Sequence, residues 1–112
     1  MKIQDIQNWE RDFSHRKGIA ENEDEATKIG MLKLTEEVGE LSKAILEKNW
    51  EEVLAEATDV IVFACKLANV AEDFHNTEKL VDVIKAKIEF SERRTYDKEK
   101  NRFDKPEDKR FV

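Results

Sequence analysis

The sequence predicts an all-α fold. Apolar residues recur at three- and four-residue spacing along most of the chain, and three glycines and one proline are too few to punctuate hairpins and tight turns. Helix-capping residues stand ahead of the periodic stretches. A length of 112 residues fits one domain.

The elements follow in order. Ile3, Ile6, Trp9 and Phe13 mark one face of a first helix that ends near Lys17–Gly18. Gly18 to Glu23 reads as a loop, and Asp24 can cap a second helix running to about Lys48, with Leu34, Val38, Leu41 and Ile45 as its apolar stripe. Asn49, followed three residues later by Glu52, resembles a capping box, which starts a third helix there and carries it to about Ala71. Ala57, Val60, Ile61, Ala64 and Ala68 form the expected inner face. Thr77 is the expected cap of a fourth helix with Leu80, Val81, Ile84 and Ile88 at helical spacing, fading near Tyr96. The expected domain is therefore 1–96. Residues 97–112 are too densely charged to build a core and are expected to be flexible or draped over a partner.

Composition narrows the function. With 41% charged and 39% hydrophobic residues, a monomer owns a thin core, so self-association is expected. A net charge of −6 argues against nucleic-acid binding, which relies on clustered Lys and Arg. The N-terminal stretch has no apolar core of signal-peptide length, and nothing approaches the roughly 20 apolar residues of a membrane span. A cytoplasmic location with no membrane partner is the expectation. The single cysteine, Cys65, allows neither a disulfide framework nor a thiolate cluster and reads as a core residue.

Two helices carry short acidic clusters: Glu36, Glu37 and Glu40, then Glu56 and Asp59. At about 100° per residue, Glu37 and Glu40 lie about 60° apart on one helix face, as do Glu56 and Asp59 on the next. Glu36 falls nearly opposite the apolar stripe, in an outer layer or in solvent. Antiparallel helices can bring the two pairs together, and converging carboxylates repel unless a cation sits among them. Oxygen-only ligation selects Mg²⁺ or Mn²⁺. His15 and His75 lie in neither pair, which disfavours a di-iron site of the Glu-x-x-His type.

On the fourth helix the inward stripe continues through Lys87, Ser91 and Arg94, where cations replace core residues. Inward cations near a carboxylate-bound metal suit a polyphosphate. Lys33 shares the flank of Glu37 and Glu40. Phe63, one turn beyond Asp59, can stack on a base, and Trp9 and Trp50 are further candidate aromatic contacts. The plain alternative is a solvated acidic face salt-bridged to Lys87 and Arg94, that is, a non-catalytic helical dimer or regulatory module.

The string LKLTEEVGELSKAI, followed by EATD with residues 41–55 between the two acidic motifs, resembles the E-E-x-x-E then E-x-x-D signature of the MazG-like nucleoside triphosphate pyrophosphohydrolases. The resemblance runs from about Ile3 to Tyr96. It implies a four-helix MazG-like bundle completed by dimerisation or tetramerisation, with Mg²⁺ held by Glu37, Glu40, Glu56 and Asp59. It also implies hydrolysis of NTP or dNTP to nucleoside monophosphate and pyrophosphate, in nucleotide-pool housekeeping. Phe63 matches an aromatic that relatives carry one turn after the motif Asp, and Lys87 matches a phosphate-contacting Lys. Ser91 stands where an Asn is expected. Glu37 or Glu36 is the expected proton acceptor, and phosphoribosyl-ATP is the nearest rival substrate.

Overall fold

The computed structural model describes residues 1–19, 22–104 and 111. The order of elements is α1 (Ile3–Lys17), α2 (Glu23–Leu46), α3 (Trp50–His75), α4 (Leu80–Glu92), β1 (Tyr96–Asp97) and β2 (Arg102–Phe103), an all-α fold with a single small hairpin among the described residues. Met1–Thr77 and Glu78–Val112 form two compact units.

In the first unit α1 stops where the sequence places its end. Gly18 adopts the left-handed conformation (φ 63°) that L side chains resist, and its N–H donates to the His15 carbonyl at 3.1 Å. The expected cap of α2 is corrected: Asn22, not Asp24, accepts from the Glu25 N–H at 2.9 Å. Asp24 instead joins Glu23 and Glu25 in the first turn, where negative charge meets the positive end of the helix dipole. α2 stops at Leu46, short of Lys48, because Lys48 turns left-handed (φ 58°). Asn49 then caps α3 by accepting from the Glu52 N–H at 3.3 Å. α3 runs past Ala71 to His75.

The short turn makes α2 and α3 a helical hairpin. Its register is set by Glu37 against Glu56 and Asp59, Gly30 against Leu67 and Glu23 against His75. A Cβ at Gly30 would lie 2.7 Å from Leu67 Cδ2, so this glycine permits the close approach.

The expected apolar faces are rotated. Val38 and Ile45 on α2 and Ile61 and Ala64 on α3 are exposed, whereas Ala26, Gly30, Ala44 and Cys65 are buried. On α1 the buried residues are Gln7 and Glu10 rather than the Ile3/Ile6/Trp9/Phe13 stripe. They meet Lys66, Asn69 and Glu72 of α3, so the α1–α3 contact is a buried polar network. Gln7 Nε2 donates to Asn69 Oδ1 at 2.9 Å and to Glu72 Oε2 at 2.7 Å, and Asn69 Nδ2 returns bonds to the Gln7 carbonyl and to Glu10 Oε1. Each buried polar group has a partner, which is what makes such an interface affordable.

In the second unit α4 begins at Leu80, three residues after the expected Thr77 cap, with Lys79 at its N-cap position, and it ends at Glu92 rather than near Tyr96. The charged segment beyond is partly ordered, against expectation. Tyr96 pairs with Phe103 and Asp97 with Arg102 in an antiparallel hairpin, and Asp97 Oδ1 accepts from the Glu99 and Lys100 N–H groups to close the turn. The Tyr96 and Phe103 rings meet edge to face at 5.1 Å. An aromatic pair and an Asx turn thus order a stretch whose composition reads as solvated. Residues 105–110 and 112 of the expected flexible tail lie outside the described residues.

Candidate active site

Glu37 from α2 and Glu56 and Asp59 from α3 bring carboxylate oxygens within 4.8 Å of one another, and all three side chains are partly buried. The i, i+3 spacing of Glu56 and Asp59 places both on the side of α3 that faces α2, and the hairpin register delivers Glu37 opposite them. Glu37 and then Glu52 crowd Glu56, and with some help from burial they push its carboxyl up to about 8. Burial and then the charges of Glu37 and Glu52 raise Asp59 as well. Glu56 Oε2 is buried with no hydrogen-bond partner.

An orphaned carboxylate oxygen, buried away from water among three other carboxylates, is costly unpaired and suited to a cation. The donors are all hard oxygens, so the set fits Mg²⁺ or a similar divalent ion.

The remaining expected site residues fall in different places. Glu40 is exposed on α2 and is not one of the three that converge. Glu36 is exposed and pairs with Lys33 at 3.2 Å, one turn away on the same helix. Trp50 is exposed in the first turn of α3.

Trp9 and Phe63, by contrast, line one cleft. With Phe13, Ile29, Thr58, Val62 and Asp59 they line a cleft of about 370 Å³ whose remaining lining includes Glu10, Ser14 and Lys66. The Trp9 and Phe13 rings stack at 4.9 Å. The cleft thus reaches the carboxylate cluster through Asp59 and the buried polar network through Lys66.

Lys87, Ser91 and Arg94 lie in the second unit, on a groove of about 650 Å³ that Ile84, Ile88 and Phe103 also line. Lys87 Nζ sits 5.3 Å from the centre of the Phe111 ring. Arg94 donates to the Asp104 carbonyl at 2.8 Å and lies against Phe103 at 5.2 Å, so it fastens the hairpin to the end of α4.

The sequence reading missed Glu52 and Lys66. From sequence Glu52 reads only as part of the α3 cap, yet its carboxyl also raises Glu56. The signal for Lys66 was present: it is one cation inside the apolar run IVFACKLANV. Buried beside Glu10 at 3.1 Å, it also donates to Ser14 Oγ at 3.0 Å. Burial opposes ionisation of Glu10, but bonds from Ser14, Asn69 and Lys66 outweigh it, and the carboxyl titrates below its ordinary range. Cys65 is buried, and burial pushes its thiol up, as suits an inert core residue.

Three carboxylates that meet across a helical hairpin define an all-α protein with a candidate divalent-cation site. The sequence profile of the MazG nucleotide pyrophosphohydrolase domain matches residues 26–97, and the chain belongs to that family. No curated protein and no solved structure matches it. Among the described residues, no helix is long and apolar enough to cross a membrane.

Proposed function

We propose that the chain is a Mg²⁺-dependent hydrolase that converts nucleoside triphosphates, NTP or dNTP, to nucleoside monophosphate and pyrophosphate, as nucleotide-pool housekeeping in the cytoplasm. The observation that carries the reading is the convergence of Glu37, Glu56 and Asp59 around the unpartnered Glu56 Oε2, at one end of an aromatic-walled cleft. The family assignment supports the same general chemistry.

In this reading Glu37, Glu56 and Asp59, joined by Glu40, hold the ion, with Mn²⁺ a possible substitute. When bound, the ion supplies charge neutralisation and Lewis acidity to the triphosphate. The chain's own residues do the rest. The base lies against Trp9 and Phe63, which fixes the triphosphate near Asp59. Glu37 takes the proton of the attacking water, since Glu36 is engaged by Lys33 on the surface. Lys33 on α2 is the cation of the first unit that this reading assigns to the phosphates.

Self-association belongs to the proposal. Leu32, Val38, Ile45, Leu46, Leu54 and Ile61 leave apolar side chains exposed along α2 and α3, which a partner surface would cover. A second copy covering them gives a dimer or tetramer.

The test is a panel of NTPs and dNTPs incubated with Mg²⁺, with Glu56→Gln and Asp59→Asn run beside the wild type. Monophosphate and pyrophosphate formed by the wild type and lost in both variants is the expected result. No turnover of any nucleotide by folded protein overturns the reading and favours a helical regulatory module.

A further inference from the structure

We propose that Lys66 is a specificity-determining residue, which presents an N–H to the nucleobase and selects bases carrying a ring carbonyl over adenine. The inference rests on the nucleotide reading above and deepens it.

Asp59, Phe63 and Lys66 follow one another at spacings of four and three, so they form a single stripe along α3. All three line the aromatic cleft, opposite residues of α1 that include Trp9 and Phe13. Asp59 and Lys66 are seven residues apart, about 10 Å along the helix axis at about 1.5 Å per residue. That is the span of a nucleoside from its 5′-oxygen to the far edge of its base. A nucleotide with phosphates at Asp59 and its ring beside Phe63 brings the far edge of the base to Lys66.

Lys66 is only 6% exposed at its side chain, and an ammonium has three protons to place. Glu10 Oε2 takes one at 3.1 Å and Ser14 Oγ takes a second at 3.0 Å. Both acceptors are themselves fixed. Ser14 Oγ donates to Glu10 at 2.5 Å, and Asn69 Nδ2 donates to the other Glu10 oxygen at 2.8 Å. The ammonium therefore cannot swing away, and its third proton has no acceptor among the described residues. Lys66, Glu10 and Ser14 also line a second cleft of about 520 Å³ with Arg11, His15 and Asp73, but only the aromatic cleft also reaches the carboxylates through Asp59.

A fixed, desolvated donor discriminates by what it meets. A ring carbonyl accepts its proton. Adenine carries an amino group in place of the carbonyl of hypoxanthine or guanine, which sets N–H against N–H and leaves the third ammonium proton unpaired. Sites built around one hydrogen bond reject analogues that lack it far more strongly than apolar pockets reject a shape change.

The cleanest comparison is ITP against ATP, whose purine rings differ at the carbonyl and amino position. The expected result is a kcat/KM for ITP at least about tenfold above that for ATP, carried largely by KM. Lys66→Met should bring the ratio near one, and Lys66→Gln, which keeps an N–H donor, should restore part of it. Because Lys66→Met strands Glu10, the double variant Glu10→Gln/Lys66→Met is assayed as well, with folding followed by circular dichroism. Hydrolysis of both nucleotides with a wild-type ratio near one, or a ratio that survives Lys66→Met in folded protein, overturns the proposal and leaves the pyrophosphohydrolase reading standing. Failure to hydrolyse any triphosphate overturns both.

Discussion

The carboxyl groups of Glu37 and Glu56, borne on different helices, stand within 4.8 Å of each other, and Glu37 is the main reason that Glu56 holds its proton up to about pH 8. Folding forces this encounter, so the hairpin carries a charge conflict that a bound cation would relieve.

Stability without divalent ions should therefore fall with pH through that window. The folded state binds a proton at Glu56 up to about 8, while the unfolded chain releases it near 4.5, so between these values the native state holds more protons and loses ground as pH rises. Thermal melts from about pH 5 to about pH 8 in EDTA should show a falling Tm, and Mg²⁺ should flatten the slope. Glu10, whose carboxyl is lowered, acts in a separate window: its contribution is full above the ordinary carboxyl range and is lost as pH falls through its native value.

Glu56→Gln should separate stability from activity. Removing the crowded charge should raise Tm in EDTA at about pH 8 and erase the difference between EDTA and Mg²⁺. Activity should fall at least about 100-fold, as loss of a ligand exceeds the 10- to 100-fold cost of losing a ligand's supporting partner. Paired melts and rate measurements on one preparation check both halves.

Gly30→Ala should destabilise the hairpin. The new Cβ meets Leu67 Cδ2 at 2.7 Å, and the repacking cost of about 2 kcal/mol exceeds the helix-propensity gain of about 1 kcal/mol. A net loss of about 1 kcal/mol corresponds to a Tm drop of about 4–8 °C. The Gly30→Ala/Leu67→Ala double variant should lose less than the sum of the two single changes, measured as a double-mutant cycle.

Lys66→Met should cost about 3 kcal/mol in denaturant melts, because Glu10 is left buried and uncompensated. Glu10→Gln/Lys66→Met should recover much of that loss, since removing both charges removes the desolvation cost with the attraction.

Much of the hairpin and its carboxylates was legible. Gly18 and Asn49 punctuate the chain through local chemistry that acts whatever the tertiary context, so the end of α1 and the start of α3 fall as expected. Glu37, Glu56 and Asp59 came together because i, i+3 spacing and a short turn leave few other registers. The choice between Asn22 and Asp24 was less determined, since both side chains cap helices well. The α1–α3 interface was hidden for a deeper reason: hydrophobic periodicity sends polar residues to water, and Gln7, Glu10 and Asn69 are buried only because they complete one another's hydrogen bonds. The hairpin after α4 escaped for a similar reason, because Tyr96 and Phe103 find each other across a turn that composition alone marks as solvated.

The most direct test of the central claim is phosphorus NMR of a Mg²⁺-containing reaction, using whichever triphosphate the panel shows to turn over fastest. The account predicts monophosphate and pyrophosphate appearing in equal amounts, with neither formed by Asp59→Asn. Release of orthophosphate and a nucleoside diphosphate, or product formation undiminished in Asp59→Asn, would contradict it.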